Sequence, residues 1–130
     1  MHILDYIEEL PNNPQSELMK YLHHFLSSYS ELNVKVIFTT PFYTRNKWVI
    51  YLSKQKDGSI EVCFVQAIQF KKHQELLDFK KRKQVGGITY WKPKDINEET
   101  LDILISEALA TDDRLKSPSK KPKKKPTSLK

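Results

Sequence analysis

The 130-residue sequence predicts an α+β fold, a two-layer sandwich with N- and C-terminal helices packed on one face of an antiparallel sheet. Three observations predict it. Apolar residues recur three or four positions apart near both ends of the chain. Between Val34 and Trp91 the period drops toward two and the composition turns β-branched and aromatic. An Asp-Gly pair, Asp57-Gly58, stands between two of those alternating runs.

The elements follow in chain order. Ile3, Leu4 and Ile7 mark a short helix that ends before Pro11. Asn13 then offers a cap and Pro14 suits a first helical position, so a second helix starts there and buries Leu18, Leu22, Phe25, Leu26 and Tyr29. Four strands are predicted at residues 34–39, 48–53, 59–65 and 88–91. Residues 41–47 are read as a loop, and Asp57-Gly58 closes a hairpin between the second and third strands. Residues 73–79 are expected to form one or two helical turns within an insertion, and Gly86-Gly87 returns the chain to the sheet. A last helix starts near Asp95–Asn97, with Glu98 and Glu99 in its first turn and a stripe of Leu101, Leu104, Ile105, Ala108 and Leu109.

Charge divides the chain. The net charge is +6, yet residues 1–116 carry 16 basic and 16 acidic side chains, and the excess sits on Lys120, Lys121, Lys123, Lys124, Lys125 and Lys130. The expected organisation is one domain over residues 1–116 and a disordered Lys/Pro-rich tail over residues 117–130. Cys63 is the single cysteine, so no intrachain disulfide forms and a thiolate metal site lacks a second sulfur. No apolar run approaches the ~20 residues of a membrane span, and three acids in the first nine residues do not fit a secretory leader. A cytoplasmic protein is expected.

Asp5-Tyr6-Ile7 before a proline break, Lys35-Val36-Ile37-Phe38-Thr39-Thr40-Pro41-Phe42-Tyr43 leading into Trp48-Val49-Ile50-Tyr51-Leu52, and Gly87-Ile88-Thr89-Tyr90-Trp91 with Asp95-Ile96 ahead of a terminal helix form an ordered set. In these segments the chain resembles the YdhG-like family, a family of unknown function, over roughly residues 3–110. The resemblance implies a frataxin-like fold, and it implies iron handling as a role, since some members are regarded as iron chaperones. Frataxin itself binds iron through an acidic ridge on its first helix. Here the main helix holds only Glu17 as an acid and adds Lys20.

Three sets of candidate residues emerge. Asp5, Glu8 and Glu9 stand at i, i+3 and i+4, so their carboxylates could share a hard cation; they also place negative charge near a helix N-terminus, which stabilises it without any ligand. Strand alternation turns Val36, Phe38, Ile50, Leu52, Val62, Phe64, Ile88 and Tyr90 toward the helices. It sends Lys35, Thr39, Tyr51, Glu61, Cys63, Thr89 and Trp91 outward, as a face for a planar ligand or a partner's aromatic side chain. Lys71, Lys72, Lys80, Lys81, Arg82 and Lys83, together with Lys120, Lys121, Lys123, Lys124 and Lys125, are candidate contacts for nucleic acid or another polyanion.

No nucleophile elbow, phosphate loop or paired-carboxylate motif is present. His23 and His24 are adjacent, so they diverge by about 100° on a helix and do not form a metal pair. The sequence therefore predicts a non-catalytic accessory or binding protein that requires no cofactor, with iron implied by resemblance alone. The alternative is a polyanion-binding module that uses the tail and the open sheet face. A third reading is a small-molecule pocket under the 41–47 loop, lined by Phe42, Tyr43 and Trp48.

Overall fold

Among the described residues, helix and strand signals resolve into three α-helices and five strands. A computed structural model describes residues 1–116, in the order α1 (Ile3–Glu8), α2 (Pro14–Ser27), β1 (Asn33–Ile37), β2 (Thr40–Thr44), β3 (Trp48–Lys54), β4 (Ile60–Phe64), β5 (Gly86–Tyr90) and α3 (Glu98–Leu115). The tail, with Lys120, Lys121, Lys123, Lys124 and Lys125, lies outside the described residues. The strands pair in sequence order, β1 to β5, all antiparallel. This is the α+β sandwich that the sequence predicts.

Local chemistry sets the helix ends. The Asn13 side chain accepts the Ser16 amide at 2.8 Å and the Asn97 side chain accepts the Thr100 amide at 3.0 Å, each satisfying a helix-start donor that would otherwise lack a partner. The buried faces of α2 and α3 bring Leu18, Met19, Leu22, Leu26, Leu101, Leu104, Ile105 and Ala108 onto Ile50, Leu52, Ile60, Val62 and Phe64. The two helical segments are also tied at the rim, where the Tyr21 hydroxyl of α2 donates to Glu98 and the hydroxyl of Tyr29, just past the end of α2, donates to Asp102.

One strand was not anticipated. The segment read as a loop from Pro41 begins with β2, because pairing with β3 starts at Phe42 and the missing amide of Pro41 removes no bond from that ladder. The turn between β1 and β2 is two residues long, with Phe38 at φ 50° and Thr39 at φ 60°. Left-handed backbone at both central positions is the two-residue hairpin geometry that normally takes Asn and Gly. Phe38 therefore does not face the helices as predicted; it is 94% exposed at the hairpin tip. Thr39 likewise leaves the sheet face for the turn.

The hairpin at Asp57-Gly58 is present as expected, with Gly58 at φ 91°. Asp57 accepts the Ser59 amide at 2.9 Å, and the Gln15 side chain of α2 donates to the carbonyls of Gln55 and Ser59, both at 2.9 Å. A 3₁₀ turn at Gln74–Leu76 occupies the predicted helical insertion. No helix among the described residues is long and apolar enough to cross a membrane.

Candidate functional site

The face of the sheet away from the helices divides into two halves. Its β4–β5 half is covered by the chain between the two strands, here called the arm (residues 66–85). The arm joins the sheet through a single bridge, in which Asp78 and Gly87 exchange both backbone hydrogen bonds at 2.8 and 2.9 Å. It then reverses through Lys80 and Lys81, at φ 50° and 67°, with the Arg82 amide donating to the Phe79 carbonyl at 2.8 Å. This reversal lays Arg82 over the sheet. Its guanidinium donates to the two Glu61 oxygens at 3.2 and 2.7 Å, and Lys80 Nζ stands 3.4 Å from the same carboxylate.

Two predicted face residues are thereby removed from solvent. Glu61 is 2% exposed and Cys63 fully buried, so neither is available to a ligand; the insertion has closed over these two outward-facing residues. Burial pulls the Glu61 carboxyl up, but hydrogen bonds from Arg82 and Cys63 and the charges of Arg82 and Lys80 outweigh it, leaving Glu61 below its ordinary value. Burial, with the Glu61 charge beside it, pushes the Cys63 thiol up to about 12, so it stays protonated and unreactive at neutral pH.

The β1–β3 half is open. Register places Lys35 opposite Phe42 and Phe42 opposite Tyr51. Trp48 joins them through an irregularity between β2 and β3, where Thr44 pairs with Trp48 and Val49 is passed over. Val49 and Ile50 are consequently both buried in succession, and Trp48 is re-aimed outward. The Phe42 ring lies 4.8 Å from that of Trp48 and 5.0 Å from that of Tyr51, centroid to centroid. The result is an aromatic strip with Trp48 49% exposed at its end and the exposed Lys35 beside it. Strict alternation from Ile50 would have turned Trp48 inward, which is why the sequence did not reveal it. Tyr43, grouped with Phe42 and Trp48 in the expected pocket, is a core residue at 1% exposure.

The remaining candidates are scattered. Asp5 lies in the first turn of α1, whereas Glu8 and Glu9 stand at its C-terminal end, because Pro11 limits that helix to six residues. Among the described residues no group of three or more His, Cys, Asp or Glu is placed to hold a metal ion, so the Asp5, Glu8, Glu9 cluster does not form. Within the basic segment, Lys80 and Arg82 are turned onto Glu61, while Lys71, Lys72, Lys81 and Lys83 are exposed. Glu107 of α3 accepts the Lys71 and Lys72 amides at 2.8 and 3.2 Å, bringing an acid against that end of the segment.

Thr89 and Trp91 lie elsewhere, in an open groove of about 580 Å³ between the arm and the free edge of β5, closed at one end by the Asp57 turn. The sequence carries no signal for it.

This arrangement of a helix-backed antiparallel meander has a solved counterpart. The chain shares its fold with YdhG of Bacillus subtilis. That protein, from the DUF1801 family, superposes with a TM-score of 0.59 at 12% identity, over 88% of this chain and 94% of the other. At that identity the likeness is one of fold, and it agrees with the YdhG-like fold implied by the segments around Tyr43, Tyr51 and Trp91. No protein-family model and no curated protein matches the chain.

Proposed function

We propose that this is a non-catalytic binding protein that engages a planar ligand, or an aromatic side chain of a partner protein, on the open half of its sheet. The carrying observation is the Phe42–Trp48–Tyr51 strip, held at 4.8 and 5.0 Å ring spacings and left uncovered where the arm stops. Offset aromatic contacts contribute about 0.5–1.5 kcal/mol each beyond the area they bury. A strip that ends in a partly exposed indole and has Lys35 opposite its central ring, Phe42, therefore suits a flat ligand carrying an acceptor. Iron has no part in this reading, since among the described residues no group of three or more His, Cys, Asp or Glu is placed to hold a metal ion.

The test is to titrate the protein with indole and with adenosine monophosphate while following Trp48 fluorescence in a Trp91→Phe background. Saturable quenching that is lost in Tyr51→Ala, with amide shifts confined to β2 and β3, supports the reading. Absence of saturation with both probes, or shifts centred on α1, sinks it.

A further inference from the structure

The groove beside β5 exists because the arm abandons the sheet after one residue pair. Gly87 directs both its amide and its carbonyl to Asp78. Along a strand these groups alternate sides, so those of Thr89 point to the same edge, while Gly86, Ile88 and Tyr90 bond toward β4. A strand antiparallel to β5 would continue from Asp78 back through Leu77 and Leu76 to meet Thr89. Instead the 3₁₀ turn at Gln74–Leu76 carries the chain away, and the Leu77 amide bonds to the Gln74 carbonyl at 3.0 Å. Among the described residues the Thr89 amide and carbonyl have no hydrogen-bond partner from another strand, and the position opposite them is empty groove.

The walls define what would fit. Leu76, Leu77 and Ile88 supply apolar surface, and the 54% exposed Trp91 stands in the lining beside them. The charged side chains of the lining are Asp57, Glu75, Asp78 and Lys80, and Lys80 is already committed to Glu61. Three acidic residues thus line the groove beside an unpaired strand edge, with the Asp78 carboxylate also accepting the Lys80 amide at 2.9 Å. Hydrogen bonds from Ser59 hold the Asp57 carboxyl below its ordinary value, so it remains charged.

We infer that the β5 edge binds an extended peptide segment of a partner protein, one bearing lysine or arginine side chains, by strand addition at Thr89 between the arm and the Asp57 turn. Main-chain bonds to an exposed edge supply affinity in this mode and side-chain contacts supply selection. The acidic rim selects for basic residues. The site is separate from the aromatic strip, and its occupancy does not depend on Trp48.

The experiment uses the full chain and a fluorescein-labelled heptapeptide of alternating lysine and valine, with binding read by anisotropy. Saturable binding is expected, weakened at least about tenfold when the alternate peptide amides are N-methylated, because methylation removes the donors without altering charge. Asp57→Asn with Glu75→Gln should weaken binding similarly, Trp48→Ala should leave it unchanged, and the Thr89 amide should gain protection from exchange. Equal binding of the N-methylated peptide, or of its glutamate counterpart, overturns the proposal. So does self-association of the chain through β5, which would assign the edge to a second copy. Peptide binding that appears only after deletion of residues 117–130 also overturns it, by making the chain's own tail the occupant.

Discussion

The Glu61 carboxylate lies flat against Gly87: a Cβ placed on that glycine would stand 2.3 Å from Glu61 Oε2 and 2.7 Å from its Cδ. The absence of a side chain at residue 87 is what lets a charged group be buried on the sheet and met there by Arg82. Gly87→Ala is therefore expected to push Glu61 off its two-point contact and to destabilise the domain by about 1–3 kcal/mol, the usual cost of overpacking. Urea unfolding checks this.

Removing the partner instead of the space has a larger effect. Arg82→Met leaves Glu61 buried with Lys80, at 3.4 Å, as its one remaining cation among the described residues. A loss of about 3 kcal/mol is expected, at the lower end of the range for an uncompensated buried charge. Combining Arg82→Met with Glu61→Gln should restore part of the loss, since no charge is then stranded. A double-mutant cycle by chemical denaturation separates the two outcomes. Because the Glu61 carboxyl is depressed in the folded protein, its stabilisation is present above the ordinary carboxylate value and fades as pH falls through the depressed one.

A second pH dependence arises at His23. Its Nδ1 lies 2.7 Å from the Tyr43 hydroxyl and its Nε2 3.3 Å from Ser27 Oγ, which itself donates to the His23 carbonyl at 2.7 Å. That arrangement fits one neutral tautomer, with Nε2 donating to Ser27 and Nδ1 accepting from Tyr43. Burial, and secondarily the neighbouring His24, lowers the His23 pKa below its ordinary 6.5. The unfolded chain thus binds the proton first, so stability should fall as pH drops below about 6.5, through the folded value. His23→Gln keeps a group that can hydrogen-bond and removes the titration. Thermal unfolding of the two proteins between pH 7 and 5 should show a steeper decline in wild type.

How far the sequence discloses this molecule depends on the range of the interaction. The helices, the Asp57-Gly58 hairpin and the inward set Ile50, Leu52, Val62 and Phe64 follow from local period and capping, and they are where those rules place them. β2 was concealed because its hairpin uses Phe38 and Thr39 at positions that ordinarily announce themselves with Asn or Gly. Trp48 was concealed by one passed-over residue, which inverts the direction that alternation assigns. The burial of Glu61 and Cys63 by Arg82, 21 and 19 residues away, depends on where the arm lands. No local pattern encodes that, although an isolated glutamate in the apolar run from Ile60 to Phe64 hinted that a cation must reach it.

The β1–β2 turn holds recoverable stability. Two non-glycine residues at φ 50° and 60° each cost about 1–2 kcal/mol relative to a residue that favours left-handed backbone. Phe38→Asn with Thr39→Gly should therefore stabilise the domain by roughly 1–2 kcal/mol in thermal unfolding, allowing for the extra entropy of glycine in the unfolded chain. Phe38 buries little, so its loss offsets little of the gain.

Asp112 anchors, from the opposite layer, the turn that leads into the strip of aromatic rings. It lies near the C-terminal end of α3, where a negative charge opposes the helix dipole, and it is 2% exposed. What holds it there is the turn between β2 and β3: Asp112 accepts the Asn46 amide at 3.0 Å, the Asn46 side-chain amide at 2.8 Å and the Lys47 amide at 3.0 Å. Those bonds set the path of the chain immediately before Trp48. Asp112→Ala strands two backbone donors and should cost about 2–3 kcal/mol, whereas Asp112→Asn, which keeps one acceptor oxygen, should cost less. The effect should also reach the other face of the sheet. Loosening residues 46 and 47 releases the passed-over Val49 and with it the outward aim of Trp48, so Trp48 emission should shift red in Asp112→Ala under conditions where the domain remains folded. Unchanged emission in a folded variant would show that the strand pairing alone positions the ring.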